Sequence, residues 1–195
     1  MTKRDRWNTF VERCLACEAC PLHETRANVV VWRGGIDAPL MIMGEGPGRD
    51  ENRLGQPFVG RSGQLLDLLL EAFEFEPKDY HICNIVKCWP PDNRVPSLEE
   101  AEACRPLLVE QMRIVRPRVY LLMGATAYRY FTGDKQGITK VRGHWTESNG
   151  CHIMPTFHPA YILRDRSKRD LLWSDMAAVR DKLTELGLME PLHRS

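Results

Sequence analysis

The sequence predicts an α/β fold built on a mainly parallel sheet. Short apolar runs of strand length alternate with amphipathic stretches of helical period, and each run ends in a glycine or a polar turn. The composition, 27% charged and 43% hydrophobic, is that of a soluble globule rather than a disordered chain. A chain of 195 residues buries roughly 70% of its unfolded surface, enough for a core of its own, and a single domain over 1–195 is expected.

Taken in order, residues 5–16 set Trp7, Phe10, Val11 and Cys14 at helical spacing. Residues 40–43, after Pro39, form a buried strand that runs into Gly44-Glu45-Gly46-Pro47-Gly48. Residues 62–73 make an amphipathic helix with Leu65, Leu66, Leu69 and Leu70 on one face, and residues 80–86 a second strand. Ser97 and Glu100 form a capping box that opens a helix to about residue 115, ahead of Pro117. Residues 119–123 are a third strand, followed by Gly124 and a helix from Ala125; residues 151–156 are a fourth, and residues 170–186 the closing helix. Ligands of open α/β sheets sit beyond the carboxyl ends of the strands. Here those ends carry the glycine turn, Asn84 with Lys87, Gly124, and Phe157-His158-Pro159.

Other classes drop out early. The apolar runs LMIM and LLDLLL fall far short of the ~20 residues that cross a bilayer. The opening MTKRDRW has no apolar region of the secretory kind, so no export signal is expected there. A net charge of +1 gives no overall field for nucleic acid, so any DNA contact needs a local patch.

Seven cysteines, an odd number without a secretion signal, argue against a disulfide framework. Cys83 and Cys151 stand singly in apolar stretches and read as core fillers. Cys17 and Cys20 form a C-x2-C pair; Cys88 lies on a Pro-rich loop and Cys104 on the capped helix. Four thiolates gathered from these places suit zinc or a 4Fe–4S cluster, and spacing alone does not choose between them. Cys14 with Cys17 is a competing register. The run is not that of a bacterial ferredoxin, which requires a fourth cysteine three residues on.

Three further segments carry polar chemistry. The glycine turn brings main-chain N–H groups toward a ligand, with Glu45 inside it and Asp50 and Glu51 beyond; Asp50 reads as a solvated loop residue. Phe58, between Pro57 and Gly60, is either a core plug, the plainer reading, or a wall for a planar ligand. Ser62 and Gly63 open a helix whose free N–H groups are available to a phosphate, with Arg61 beside them. His158 sits at a strand end, fixed by Pro159, and Arg164, Arg166, Lys168 and Arg169 form either a phosphate track or a solvated face.

The segments CEACPLHETRAN, MGEGPGRDENRLGQPFVGRSGQLLD, NIVKCWPPDNRVPSLEEAEAC, LLMGATA and FHPAYIL, in this order, resemble the family 4 uracil-DNA glycosylases, the iron–sulfur branch of that superfamily. The resemblance spans about residues 11–183. It implies a three-layer α/β/α sandwich on a four-stranded parallel sheet, and a 4Fe–4S cluster on Cys17, Cys20, Cys88 and Cys104 that organises structure, Cys14 being extra. It implies Glu45 and Glu51 as water-positioning carboxylates, with Glu45, Gly46 and Pro47 in the first uracil-binding motif. Phe58 is implied to stack on uracil, Asn84 to read its edge and His158 to face O2. An asparagine amide accepts from N3–H and donates to O4, a pattern that cytosine reverses. Leu163 matches the wedge that fills the gap left by an extruded base.

The activity so implied is hydrolysis of the deoxyuridine N-glycosidic bond in single- or double-stranded DNA, by a cytoplasmic, nucleoid-associated prokaryotic monomer with no membrane. Two departures stand out. Asn52 replaces a frequent Asp, which bears on hydrogen bonding near the water, and Trp89 replaces a frequent Arg, which bears on packing around the cluster. No His-bearing basic insertion lies between Lys87 and Ser97, which disfavours the covalent DNA capture of a related branch. A catalytically silent, cluster-bearing damage sensor and an iron–sulfur redox protein are the alternative classes.

Overall fold

A computed structural model describes residues 1–193. In chain order the elements are α1 (Lys3–Leu15), β1 (Arg33–Gly34), β2 (Leu40–Gly44), α2 (Arg49–Leu54), α3 (Arg61–Ala72), β3 (Tyr80–Asn84) and α4 (Leu98–Val115). They continue with β4 (Val119–Met123), α5 (Ala125–Thr132), α6 (Ile138–Val141), β5 (Thr146–Ser148), β6 (Cys151–Thr156), α7 (Pro159–Arg164) and α8 (Arg169–Glu185).

The expected four parallel strands are present as β3-β2-β4-β6. The sheet is wider than expected. Two short antiparallel strands extend it to six, β1 beside β3 and β5 beside β6. Neither has a buried apolar pattern: β1 is two residues and β5 is the exposed Thr146–Ser148.

Every residue of β2, β3 and β4 is buried, as strands covered on both faces require. Alternation along β2 sorts its side chains into two cores. Met41 and Met43 pack with Trp7, Phe10 and Leu107, from α1 and α4; Leu40 and Ile42 pack with Leu66, Leu69, Met176 and Val179, from α3 and α8. The result is a three-layer sandwich. Ser97 caps α4 and Glu100 reaches back, the reciprocal box anticipated from sequence. Strand β2 lies between β3 on one side and β4 on the other, so the chain reverses direction across the sheet there. That switch point opens a crevice at the carboxyl ends of β2 and β4.

Candidate active site and thiol site

The crevice is a cleft of about 760 Å³. Glu45, Gly46 and Pro47 reach it from the turn after β2, Phe58 from the loop before α3, Asn84 as the last residue of β3, and His158 from the segment after β6. Residues spread over more than half the sequence thus share one wall.

Phe58 holds a left-handed backbone (φ 55°), which costs a bulky residue about 1–3 kcal/mol. Glu51 sustains it. Its Oε1 accepts N–H bonds from Val59 and Gly60, each 2.9 Å, and its Oε2 one from Gly48 at 3.1 Å. One carboxylate therefore staples the Phe58 loop to the glycine turn. A side chain at Gly63 would overlap the Phe58 carbonyl, so the first turn of α3 packs directly under the loop. The Phe58 ring lies 5.5 Å from the His158 ring at an interplanar angle of 26°.

Asn84 is 2% exposed, and among the described residues its side-chain amide has no protein partner. An alanine Cβ at Gly44 would lie 2.5 Å from its Oδ1 and 2.7 Å from Phe58 Cζ. Glycine at 44 is what lets the amide and the ring approach each other.

His158 caps α7: its Nδ1 accepts the Ala160 N–H at 3.1 Å. That bond assigns the ring proton to Nε2, the open edge. Burial pushes the imidazole down to about 4, Arg164 adding to the effect and Glu51 opposing it. At neutral pH the site therefore offers a neutral N–H donor. Burial also raises the Glu45 carboxyl, while the neighbouring Thr126 hydroxyl and Arg129 pull it back. Thr126 lines the cleft from the first turn of α5. The sequence signalled it only as part of LLMGATA, without a role.

Arg61, Ser62 and Arg164 line the rim, joined by Arg49 and Arg94. No side chain caps the start of α3, which leaves its first N–H groups free beside Arg61. Leu163 is half-buried on α7 and outside the cleft wall. The two departures fall elsewhere than expected. Asn52 turns away from the cleft and accepts the N–H groups of Ala27 (2.8 Å) and Asn28 (3.2 Å). Trp89 donates to Asn93 Oδ1 at 2.7 Å and does not line the thiol cavity.

That second cavity is ringed by Cys14, Cys17, Cys20, Cys88 and Cys104. Arg26 closes it, donating to the Cys17 carbonyl (2.6 Å) and toward Cys88 Sγ (3.4 Å). Burial pushes the Cys104 thiol up to about 11 and Cys14 to about 12, and raises Cys20 and Cys88. Among the described residues, no three Cys, His, Asp or Glu side chains are grouped closely enough to hold one metal ion. The thiols instead surround a space. The donor set is soft and buried, the kind that suits zinc or an iron–sulfur cluster. Cys83 is fully buried and Cys151 points at the Pro117 carbonyl (3.5 Å), both outside the ring.

Fold and cleft together define an α/β protein with a ligand-sized cleft at the switch point of its sheet. The family model for the uracil DNA glycosylase superfamily matches residues 31–180. A type-4 uracil-DNA glycosylase of Thermotoga maritima is 46% identical over 192 residues, 95% of this chain and 99% of that one. A type-4 enzyme of Pyrobaculum aerophilum is 38% identical over 83% of this chain and 86% of its own; a type-5 enzyme of the same organism is 29% identical over 82% and 84%. The chain belongs to the uracil-DNA glycosylase superfamily, in its type-4 branch. No helix among the described residues is long and apolar enough to cross a membrane.

Proposed function

We propose that this chain is a DNA-repair enzyme that hydrolyses the N-glycosidic bond of deoxyuridine, releasing uracil and leaving an abasic site. The observation that carries the reading is the convergence of Phe58, Asn84 and His158 on one cleft with Glu45 beside them. Arg61, the α3 N-terminus and Arg164 grip phosphates while the nucleotide is everted, at a cost of a few kcal/mol that is least at a mismatch. Leu163 on the same helix as Arg164 enters the space the base leaves.

In the pocket the uracil ring stacks on Phe58, and the unpartnered Asn84 amide accepts from N3–H and donates to O4. Bond stretching builds oxocarbenium character on the sugar and negative charge on uracil. His158 Nε2–H donates to O2 as that charge grows, and main-chain N–H groups around Gly46 assist. Glu45 has acceptor capacity for the attacking water, whereas Glu51, with three N–H bonds accepted, serves by fixing the Phe58 loop. Cys17, Cys20, Cys88 and Cys104 would hold a 4Fe–4S cluster. Bound there, it supplies iron–thiolate bonds that cross-link the segment after α1, the loop after β3 and α4. The enzyme works as a cytoplasmic monomer on DNA.

The test is release of free uracil from a U·G duplex by the wild type, His158→Ala and Asn84→Ala. The variants are expected to lose about 10²–10³ in rate; equal rates in all three refute the site. Iron analysis and a broad visible absorbance separate a cluster from zinc.

A further inference from the structure

Between the thiol cavity and the base pocket lies one residue that the reaction above does not use. Lys87 is 1% exposed and lines the thiol cavity. Its Nζ donates to the main-chain carbonyl of Asn84 at 2.9 Å, within the interior. Its own carbonyl accepts the Val30 N–H at 2.8 Å, and its main-chain N–H bears on the Cys104 thiol. The residue thus touches the end of β3, the segment before β1 and a thiol on α4.

What it lacks is an anion. The buried carboxylates are committed elsewhere: Glu100 to Arg94, Asp175 to Arg142, and Asp79 to the Glu76 N–H. No ion pair involving Lys87 occurs among the described residues. An ammonium buried without a partner is strongly destabilising. Among the acidic groups its charge acts on are the thiols of Cys14, Cys83 and Cys104, and a cluster held by four thiolates carries net negative charge. Arg26 meets that charge from the outer side of the cavity, donating toward Cys88 Sγ.

We propose that Lys87 is a positioning residue with two roles: its buried ammonium is the inner counter-charge of the cluster, and its Nζ–H holds the Asn84 carbonyl, fixing the amide that reads uracil. The inference rests on the glycosylase and cluster reading above. It makes the cluster part of the pocket's geometry through one side chain. Because an ammonium spreads its donors in three directions, an anion on one side and a carbonyl on the other are held at a fixed separation.

The test compares wild type, Lys87→Met and Lys87→Arg, purified anaerobically as full chains. The readouts are iron content, cluster midpoint potential by spectroelectrochemical titration, and kcat and KM for uracil release. Lys87→Met is expected to move the potential to more negative values, because the added electron loses a buried cation on the inner side of the thiols. It should also lower kcat by about 10–100-fold through the misplaced amide. Lys87→Arg should restore the potential and much of kcat. A Lys87→Met protein that fails to retain iron while Lys87→Arg retains it supports the counter-charge equally. Full iron, unchanged potential and unchanged kcat in Lys87→Met overturn the proposal. So does an Arg variant that rescues neither property. A wild type with iron but no uracil release sinks the enzymatic reading alone and leaves the potential shift as the measure of Lys87. A wild type without iron sinks the cluster reading and this inference together.

Discussion

Gly44→Ala isolates pocket geometry from fold. Gly44 ends β2, and all five residues of the strand are buried. The new methyl carbon would sit 2.5 Å from Asn84 Oδ1 and 2.7 Å from Phe58 Cζ, where ordinary contact begins at 3.4 Å. The amide must therefore retreat by about 0.9 Å and the ring by about 0.7 Å, distances at which a misplaced positioning group costs on the order of 10² in rate. Both groups border an open cleft, so they have room to move and the sandwich itself should persist. Single-turnover uracil release from a U·G duplex reads the effect, with thermal melting as the control for fold. Gly137→Ala is the companion variant, since only Thr139 Oγ1 lies near its Cβ, at 3.9 Å. The expected result is a rate about 100-fold down in Gly44→Ala, near-wild-type melting, and no change in Gly137→Ala. A Gly44→Ala enzyme within threefold of the wild type would show that the Asn84–Phe58 approach is irrelevant to base recognition.

Other outcomes follow from the same coordinates. Glu45→Gln should abolish the acid limb of kcat/KM; in the wild type that limb lies above the ordinary glutamate value of 4.5, because burial raises this carboxyl. A limb unchanged in Glu45→Gln assigns the titration elsewhere. If the proposed cluster sits on Cys17, Cys20, Cys88 and Cys104, Cys20→Ala should lose its visible absorbance and Cys14→Ala should keep it; the reverse pattern would place the ligand pair at Cys14 and Cys17. His81, fully buried between the Gly35 carbonyl and Gln111, is held down at about 4 against an ordinary 6.5. The unfolded chain takes up this proton first, so stability is intact above pH 6.5 and falls as pH drops toward 4, by about 2 kcal/mol at pH 5. Urea unfolding of wild type and His81→Gln at pH 7.5 and 5 measures the difference, and parallel losses in the two refute it.

The sequence exposed those parts of the molecule whose local pattern and final environment agree. β4 and β6 run over the expected residues because each is an apolar run with punctuated ends, and α4 starts where its capping box says. The edge strands stayed hidden because their pairing, not their composition, makes them strands. Helices α2 and α7 were hidden for another reason. Each has six residues and begins in a motif that reads as chemistry, the glycine turn and His158-Pro159. Within the site, residue identities were legible but employments were not. Two glutamates six positions apart look equivalent in sequence; only the fold gives one of them three N–H bonds. Asn52 was misplaced because its neighbours in sequence face the cleft while its side chain, on the other side of α2, faces residues 27 and 28.

A network unmarked in the sequence supports His158 from below. Asp175, on α8, is 2% exposed and accepts from Arg142 Nε at 2.9 Å, from Arg142 Nη2, and from the Thr156 hydroxyl at 2.6 Å. Thr156 ends β6 and stands two residues before His158, so the carboxylate fixes the end of the strand from which His158 projects. Removing it leaves a half-buried guanidinium and a buried hydroxyl unpaired, and Asp175→Ala should lose about 3–5 kcal/mol of stability. Thr156→Val is the gentler probe. It forfeits one hydrogen bond and leaves part of the carboxylate's capacity unfilled, at about 1–3 kcal/mol. If the network acts through His158, Thr156→Val slows uracil release in the wild type and has little further effect in His158→Ala, because the group it positions is gone. Full additivity of the two substitutions in log rate would mean that the network stabilises the sandwich without setting the imidazole. Coupling would mean that His158 owes its place as much to a carboxylate on the last helix as to the proline that follows it.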